Sequence, residues 1–302
     1  MNPYIYPRTK PSFNLHLKET TGKWLRYTVD FPIAKPTRHK ENNIAYGEYY
    51  QPRGADSWPL AVLVHGWGNR SMIPCKLLAK DLVKKGIASF MLYLVFHSSR
   101  MPEVIKNRLP NLSPEEWFEG YQTSVIDVRQ IVDWASSTEV IRKQRIAVVG
   151  ISLGGIISAI AMGVDQRIRV GVILLAGGNY ENPAWLRKTG ARRTEAESIE
   201  ARDLYAQYLN RVAVKGLGNV IPPKKSYLTD PLTFASHLRE RPLLMVNALW
   251  DERVPKQSTV DFWEACGRPD IKWFPTGHST IWLLYPLIRK EIVAFLCSTF
   301  GM

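Results

Sequence analysis

Residues 146–155 contain a serine in a setting that favours nucleophilic chemistry. An apolar, mostly β-branched run over residues 146–149 leads into Gly150-Ile151-Ser152-Leu153-Gly154 and then into small residues typical of a helix. The pattern predicts a strand, a sharp turn and a helix, with Ser152 at the turn. Glycines two positions before and two positions after the serine let the strand and the helix approach without a Cβ clash. A serine at such a turn projects its hydroxyl clear of the sheet.

This G-x-S-x-G pattern resembles the nucleophile elbow of the α/β-hydrolase superfamily. The five-residue pattern alone recurs by chance, so the buried strand before it and the helix after it make it specific. The alternative is an ordinary strand–helix turn without chemistry. The resemblance implies a catalytic triad in which the serine is followed along the chain by an acid and then by a histidine. Each of the three then lies in a loop at the carboxyl end of a strand.

Asp251 is the candidate acid. It directly follows a predicted strand, and its loop, Asp251-Glu252-Arg253-Val254-Pro255, looks like the D-x-x-V-P acid loop of the family. Glu252 is a rival in the same loop, and Asp261, one helix later, is a weaker one. Asp251 could instead cap the helix that begins near Pro255.

His278 is the candidate base, because it follows the next predicted strand and is the only histidine after the acid loop. Gly277 before it lets the backbone turn so that the imidazole faces Ser152. In a triad, His278 would take the Ser152 proton and return it to the leaving group, while Asp251 would fix the imidazole tautomer. The alternative is a histidine without a role at the start of the last helix.

The resemblance also implies two backbone N–H donors that bind the oxyanion of the tetrahedral intermediate. Leu153, the residue after the nucleophile, would supply one. His65-Gly66-Trp67-Gly68 resembles the H-G-x-x oxyanion loop of the family, so Trp67 would supply the other. His65 itself is expected to be a packing residue.

His97 and Arg100 follow the predicted strand over residues 87–95, so both are expected at the same edge of the sheet. There they could bind a carboxylate or phosphate of the substrate. Alternatively, they pair with the lid or with nearby acidic residues.

Apolar runs and helical periodicities predict the elements that position these residues. Loosely alternating β-formers at 24–31 and 44–50 predict antiparallel strands that open the sheet. Continuous apolar runs predict six buried strands, over residues 60–64, 87–95, 145–149, 170–176, 242–248 and 271–274. Most of these runs alternate with helical segments, and right-handed crossovers then give an α/β fold with a doubly wound, mostly parallel sheet. One of the helices is predicted to start at Ser113-Pro114-Glu115-Glu116, which forms a capping-box pattern.

Two segments fall outside this alternation in what is otherwise a single domain over residues 1–302. Residues 179–240 contain no buried-strand pattern and are too many for a simple connection, so they predict a partly helical cap or lid over the carboxyl edge of the sheet. Residues 1–19 are interpreted as an N-terminal extension. The apolar stretch over residues 280–300 contains Arg289-Lys290-Glu291, which favours an amphipathic last helix over a membrane span.

Composition excludes several classes of protein. The 302 residues are 45% hydrophobic and 22% charged, as in an ordinary globular protein. The net charge of +13 favours anionic partners, but the basic residues are scattered, so nucleic-acid binding is not expected. Cys75, Cys266 and Cys297 are far apart and are interpreted as free thiols; no pattern of metal ligands occurs. No secretory leader is recognisable, which predicts a cytoplasmic protein.

Within the superfamily, the chain most resembles esterases related to dienelactone hydrolases and the catalytic domains of prolyl oligopeptidases. The D-x-x-V-P loop and the insertion carry this resemblance. A recognisable propeller and a cysteine nucleophile are missing, which favours hydrolysis of a small-molecule carboxylic ester, without a cofactor, over peptidase activity. A thioesterase or acyltransferase would use the same triad, and the positive charge would then suit an anionic thiol carrier such as coenzyme A. A non-catalytic scaffold with this fold is a further alternative.

Overall fold

The fold is built on one mixed β-sheet. The computed structural model describes residues 2–7, 12–68, 72–188 and 193–302. The nine strands within these ranges are β1 (Asn14–Thr20), β2 (Trp24–Pro32), β3 (Ile44–Pro52), β4 (Trp58–Val64), β5 (Ala88–Tyr93), β6 (Ile141–Ile151), β7 (Val170–Leu174), β8 (Leu243–Ala248) and β9 (Asp270–Phe274).

The strands lie in the order β1-β2-β3-β5-β4-β6-β7-β8-β9. From β1 to β5 neighbouring strands pair antiparallel, and from β5 to β9 they pair parallel. The chain enters the parallel part at β4, places β5 on one side of it and β6 on the other, and then continues outward to β9. This order confirms the predicted α/β class with a doubly wound, mostly parallel sheet.

Helices cover both faces of the sheet. Within the described residues they are α1 (Met72–Lys84), α2 (Glu103–Lys106), α3 (Pro114–Ser137), α4 (Leu153–Val164), α5 (Pro183–Lys188), α6 (Glu195–Lys215), α7 (Lys256–Ala265) and α8 (Tyr285–Phe300). Every one of these helices is too short or too polar to cross a lipid bilayer.

Side chains of the central strands point alternately to the two faces of the sheet, so the core has two layers. Leu60, Val62 and Val64 of β4 pack in the layer that contains α3 and α4, whereas Ala61 and Leu63 pack in the layer that contains α1 and α8. Successive side chains of a strand point to opposite faces, so a strand covered by helices on both sides must be apolar throughout. This is why the central strands are continuous apolar runs in the sequence.

The start of α3 confirms the capping-box prediction. The Ser113 hydroxyl accepts a hydrogen bond from the Glu116 N–H at 3.2 Å, and the Glu116 carboxylate accepts one from the Ser113 N–H at 2.8 Å. Two N–H groups that lack partners within the helix are thereby satisfied.

The two atypical segments are both packed against the sheet or its helices. β1 begins at Asn14, within the predicted extension over residues 1–19, and pairs with β2 at the sheet edge. Most of its side chains are exposed, so no buried face marks it in the sequence. Between β7 and β8, the described residues of 179–240 include α5, α6 and three 3₁₀ segments, and the last 3₁₀ segment, Pro231–Leu238, packs along α4. Residues 1, 8–11 and 189–192 lie outside the described ranges, and a lid role for 179–240 stays a prediction.

Candidate active site

Ser152 occupies the turn between β6 and α4. Its backbone has φ 54° and ψ −117°, a conformation that residues with a side chain rarely adopt. The Ser152 N–H donates to the Leu174 carbonyl at the end of β7, at 2.8 Å, which holds the turn in this strained form. The predicted strand, turn and helix are therefore confirmed, with the serine at the carboxyl edge of the sheet.

Two glycines make the turn possible. A Cβ on Gly150 would lie 2.2 Å from the Gly154 carbonyl oxygen, and a Cβ on Gly154 would lie 2.1 Å from the Val64 carbonyl oxygen of β4. Both obstacles are backbone atoms, which cannot swing aside as a side chain can. The first glycine lets α4 fold back on β6, and the second lets α4 sit against the end of β4.

The structure brings Ser152, His278 and Asp251 together. The Ser152 Oγ lies 3.0 Å from His278 Nε2, and His278 Nδ1 lies 2.8 Å from one Asp251 oxygen and 3.0 Å from the other. With Nδ1 protonated, His278 donates to Asp251 and its Nε2 accepts from the serine hydroxyl. Asp251 Oδ1 also accepts the N–H groups of Arg253 and Val254, at 2.8 and 2.7 Å, which fixes the carboxylate in its loop.

Glu252 holds the backbone of the histidine loop rather than the imidazole. One of its oxygens accepts the His278 N–H at 2.6 Å, and the other accepts both the N–H and the hydroxyl of Ser279, at 2.9 and 2.5 Å. Burial opposes ionisation of Glu252, but these hydrogen bonds outweigh it and lower the pKa of its carboxyl to about 2. Glu252 is therefore an ionised positioning residue for His278.

Asp261, the other rival, serves a different part of the molecule. Its carboxylate accepts hydrogen bonds from the amides of Asn179 and Asn182, at 2.7 and 3.0 Å, and from Gln257 at 2.8 Å. It joins α7 to the segment after β7. Among the three candidate acids, the hydrogen bond to the His278 imidazole belongs to Asp251.

The two predicted oxyanion donors lie in neighbouring loops. Leu153 is the first residue of α4, and Trp67 lies three residues after β4 ends. β4 and β6 pair parallel, with Val64 opposite Gly150, so the two loops start side by side. From there the chain turns to β5 on one side and to β7 on the other, the arrangement that opens a crevice at the carboxyl edge of an α/β sheet. The oxyanion role of both residues stays a prediction.

His97 supports the loop over residues 65–68 and does not line the cleft, so its predicted contact with substrate is corrected. It is 1% exposed; its Nε2 accepts the Gly68 N–H at 2.9 Å, and its Nδ1 donates to the Val95 carbonyl at 2.8 Å. Burial, chiefly, lowers the pKa of His97, which keeps the imidazole neutral as its acceptor role requires.

His65 is held in the same way. Its Nδ1 donates to the Gly66 carbonyl at 2.7 Å, and its Nε2 accepts the Leu94 N–H at 3.1 Å. Burial, and then the nearby His97, lower the pKa of His65 to about 3. Together these two neutral imidazoles fix residues 65–68 against the end of β5.

Arg100 does not bind substrate either; the structure shows the alternative given for it, a pair with an acidic residue. Its guanidinium is fully buried, 2.7 Å from Asp127 of α3, and it donates as well to the carbonyls of Tyr93 and Asn42. A buried ion pair of this kind fixes the loop after β5 and cannot contact a substrate in the cleft. Asp127 is 27 residues away in sequence, and no local pattern indicated it as the partner.

A cleft of about 590 Å³ opens at Ser152 and His278. Its walls include Trp67, Ile73, Arg253 and Trp282. Beside it lies a nearly filled apolar cavity of about 20 Å³, which Trp67 and Leu153 also line. The sequence did not single out Arg253 or Trp282, although their positions within the acid loop and just after His278 could have indicated them. Among the described residues, no part of 179–240 lines the cleft, and no three His, Cys, Asp or Glu side chains meet as a metal site requires.

Two family models match the chain. One is described as the prolyl oligopeptidase family and matches residues 118–275, which include Ser152 and Asp251. The other is described as alpha/beta hydrolase domain containing 18 and matches residues 39–183. No curated protein matches the chain by sequence.

Solved structures with the same fold include several esterases. An acetyl xylan esterase from Paenibacillus sp. R4 is 18% identical with a TM-score of 0.68, covering 96% of this chain and 89% of its own. Acetyl xylan esterase 1 from Thermoanaerobacterium sp. JW/SL YS485 is 13% identical with a TM-score of 0.62, covering 95% and 89%. A cold-adapted esterase from an Arctic intertidal metagenomic library is 17% identical with a TM-score of 0.59, covering 94% and 99%. These likenesses, with the family models, confirm the α/β-hydrolase fold.

Proposed function

Because the chain belongs to the prolyl oligopeptidase family of α/β-hydrolases, we propose that it hydrolyses carboxylic esters through an acyl-enzyme on Ser152. The observation that carries the proposal is the unbroken chain of contacts from the Ser152 hydroxyl through the His278 imidazole to the Asp251 carboxylate. The esterases that share the fold support the choice of ester as substrate, since the chain is similar to them over nearly its whole length.

Acylation begins when Ser152 Oγ attacks the ester carbonyl carbon and its proton passes to His278 Nε2. The negative charge that develops on the carbonyl oxygen is bound by the N–H groups of Leu153 and Trp67, and Asp251 stabilises the imidazolium. As the intermediate collapses, the bond to the alcohol oxygen breaks and His278 gives its proton to the departing alcohol. Water then repeats the sequence on the acyl-enzyme, releases the acid and restores Ser152. No cofactor takes part in these steps.

The small cavity beside Trp67 and Leu153 fits the acyl group. Its volume of about 20 Å³ matches one small group, since about one probe sphere of ~10–15 Å³ is needed to hold a water molecule. Its walls are apolar and aromatic, and Trp67 stacks on Trp117 with ring centroids 5.1 Å apart. The acyl methyl of an acetyl ester would occupy this cavity, and the alcohol would occupy the larger cleft. Two of the structures with the same fold are acetyl xylan esterases, which agrees with an acetyl group.

Labelling with a fluorophosphonate tests the mechanism directly. We expect stoichiometric modification of the wild-type protein, because an activated serine attacks phosphorus and the anionic adduct rests in the oxyanion site. Peptide mass spectrometry should locate the adduct on Ser152. Unfolding the protein before labelling is the control and should prevent modification. No adduct on the folded protein, or an adduct on another residue, would overturn the proposal.

Acyl-chain length is predicted to matter strongly. Across p-nitrophenyl acetate, butyrate and octanoate, kcat/KM should fall by about 10- to 100-fold, because forcing extra methylenes into a filled site costs roughly 1–3 kcal/mol. The matched variant Trp117→Leu removes one wall of the cavity and should shift the preference toward butyrate. An acyl-chain profile that is flat in the wild type and unchanged in the variant would contradict this placement of the acyl group.

A further inference from the structure

The side chain of Arg253 lies in the wall of the active-site cleft. It is exposed, and it lines the same cleft as Ser152 and His278. Its backbone is fixed, since the Arg253 N–H donates to Asp251 Oδ1 at 2.8 Å. The side chain is thus presented from the loop that orients the catalytic base.

The Arg253 guanidinium has no ion-pair partner within the described residues. Its two acidic neighbours are engaged elsewhere, because Asp251 binds the His278 imidazole and Glu252 binds the backbone of His278 and Ser279. By contrast, Arg100 and Arg167 both pair with carboxylates. An unpaired guanidinium in a cleft is a site for an anion of the ligand.

Among the described residues that line the cleft, Arg253 differs from the others in charge. The other described side chains that line it are apolar groups, hydroxyls and the His278 imidazole, so Arg253 is the one permanent charge among them. Trp67, Ile73 and Trp282 give the cleft apolar walls beside this cation.

We propose that Arg253 binds an anionic oxygen group on the alcohol part of the substrate, so that the preferred esters are those of alcohols bearing a carboxylate or a phosphate. This inference rests on the proposed ester hydrolysis. The guanidinium fork matches both anions through paired N–H donors. The alcohol part is the relevant one because the acyl cavity is filled by a small group, whereas the cleft of about 590 Å³ has room for a larger one.

Three acetate esters of closely similar shape test the proposal: 3-acetoxybenzoate, the neutral 3-acetoxybenzamide and 3-acetoxyphenyl phosphate. The readout is the ratio of kcat/KM for each anion to that for the amide. We expect a wild-type ratio of about tenfold for at least one anion, arising mainly in KM, since the contact is made equally in ground and transition states. The anionic ester with the larger ratio shows whether Arg253 prefers a carboxylate or a phosphate.

Charge at position 253 should set this ratio. Arg253→Gln should reduce it to within about twofold of unity, and Arg253→Lys should retain part of it, because a lysine keeps the charge without the fork. The matched control is Arg142→Gln, which removes the same charge from an exposed arginine of β6. Arg142 lies ten residues before Ser152, near the opposite end of β6, where the neighbouring Ile141 pairs with Trp58 at the start of β4. Arg142→Gln should keep the wild-type ratio.

The failures of the two proposals can be told apart. A wild-type enzyme that hydrolyses the amide but shows no preference for either anion overturns the role of Arg253, and so does an unchanged ratio in Arg253→Gln. A wild-type enzyme that hydrolyses none of the three acetates, nor p-nitrophenyl acetate, overturns the ester hydrolase itself.

Discussion

Replacing Ser152 by alanine is expected to lower kcat for p-nitrophenyl acetate by about 10⁴- to 10⁶-fold, as removal of the nucleophile does in other serine hydrolases. The reason is that in the proposed mechanism the Ser152 hydroxyl, 3.0 Å from His278 Nε2, is the group that forms the acyl-enzyme. Alanine differs from serine by one oxygen, so the turn should keep its shape. Initial rates with and without enzyme measure the effect, and thermal unfolding of the variant checks its fold.

Ser279→Ala is the matched comparison for this variant. Ser279 also lines the cleft, but its hydroxyl donates to Glu252 rather than to the imidazole. Its replacement should cost no more than about tenfold, the scale of one hydrogen bond that positions a loop. If Ser152→Ala kept kcat within tenfold of the wild type, Ser152 would not be the nucleophile.

Asp251→Asn is expected to lower kcat by about 10³- to 10⁴-fold. The asparagine amide can donate to His278 Nδ1, and Nε2 would then carry the proton and could no longer accept one from Ser152. The carboxamide has nearly the same shape as the carboxylate, so a loss of activity without a loss of stability reports on the tautomer. The measurement is kcat together with the thermal unfolding temperature.

Glu252→Gln separates the two acidic residues of this loop. Glu252 binds main-chain N–H groups, so its amide analogue loosens the His278 loop without changing the tautomer. We expect a loss of kcat of about tenfold or less, since a few hydrogen bonds of roughly 1 kcal/mol are weakened. Equal losses of kcat in Asp251→Asn and Glu252→Gln would contradict the assignment of Asp251 as the triad acid.

Sequence pattern predicted which residues lie together at the candidate site, but it did not predict the contacts of the side chains around them. Ser152, Asp251 and His278 each follow a strand of the parallel part of the sheet, and parallel strands put all such positions at one edge. Local pattern therefore suffices to bring them to the same edge. The two glycines flanking Ser152 carry equally local information, because the backbone atoms they contact belong to the strand–turn–helix or to the neighbouring strand.

The side-chain contacts of Arg100 and His97 could not be predicted from the sequence. Both residues were placed correctly after β5, but the direction of each side chain depends on partners elsewhere in the chain, Asp127 on α3 and the Gly68 N–H after β4. Arg253 is the converse case: its loop was identified from the sequence, yet only the packed structure shows that no carboxylate of the described residues pairs with it. β1 was missed for another reason, since an edge strand with exposed side chains has no buried face to leave a pattern.

The contact between Ser152 and His278 joins residues 126 positions apart in the chain. It also links β6, next to the sheet's central strand, to the loop after β9, the edge strand of the parallel part. A polypeptide emerging from the ribosome thus contains Ser152 long before it contains His278. Contacts across such separations form late because a long loop must close first. Under the proposed mechanism, Ser152 therefore lacks its proton acceptor until β9 and the loop after it have joined the sheet.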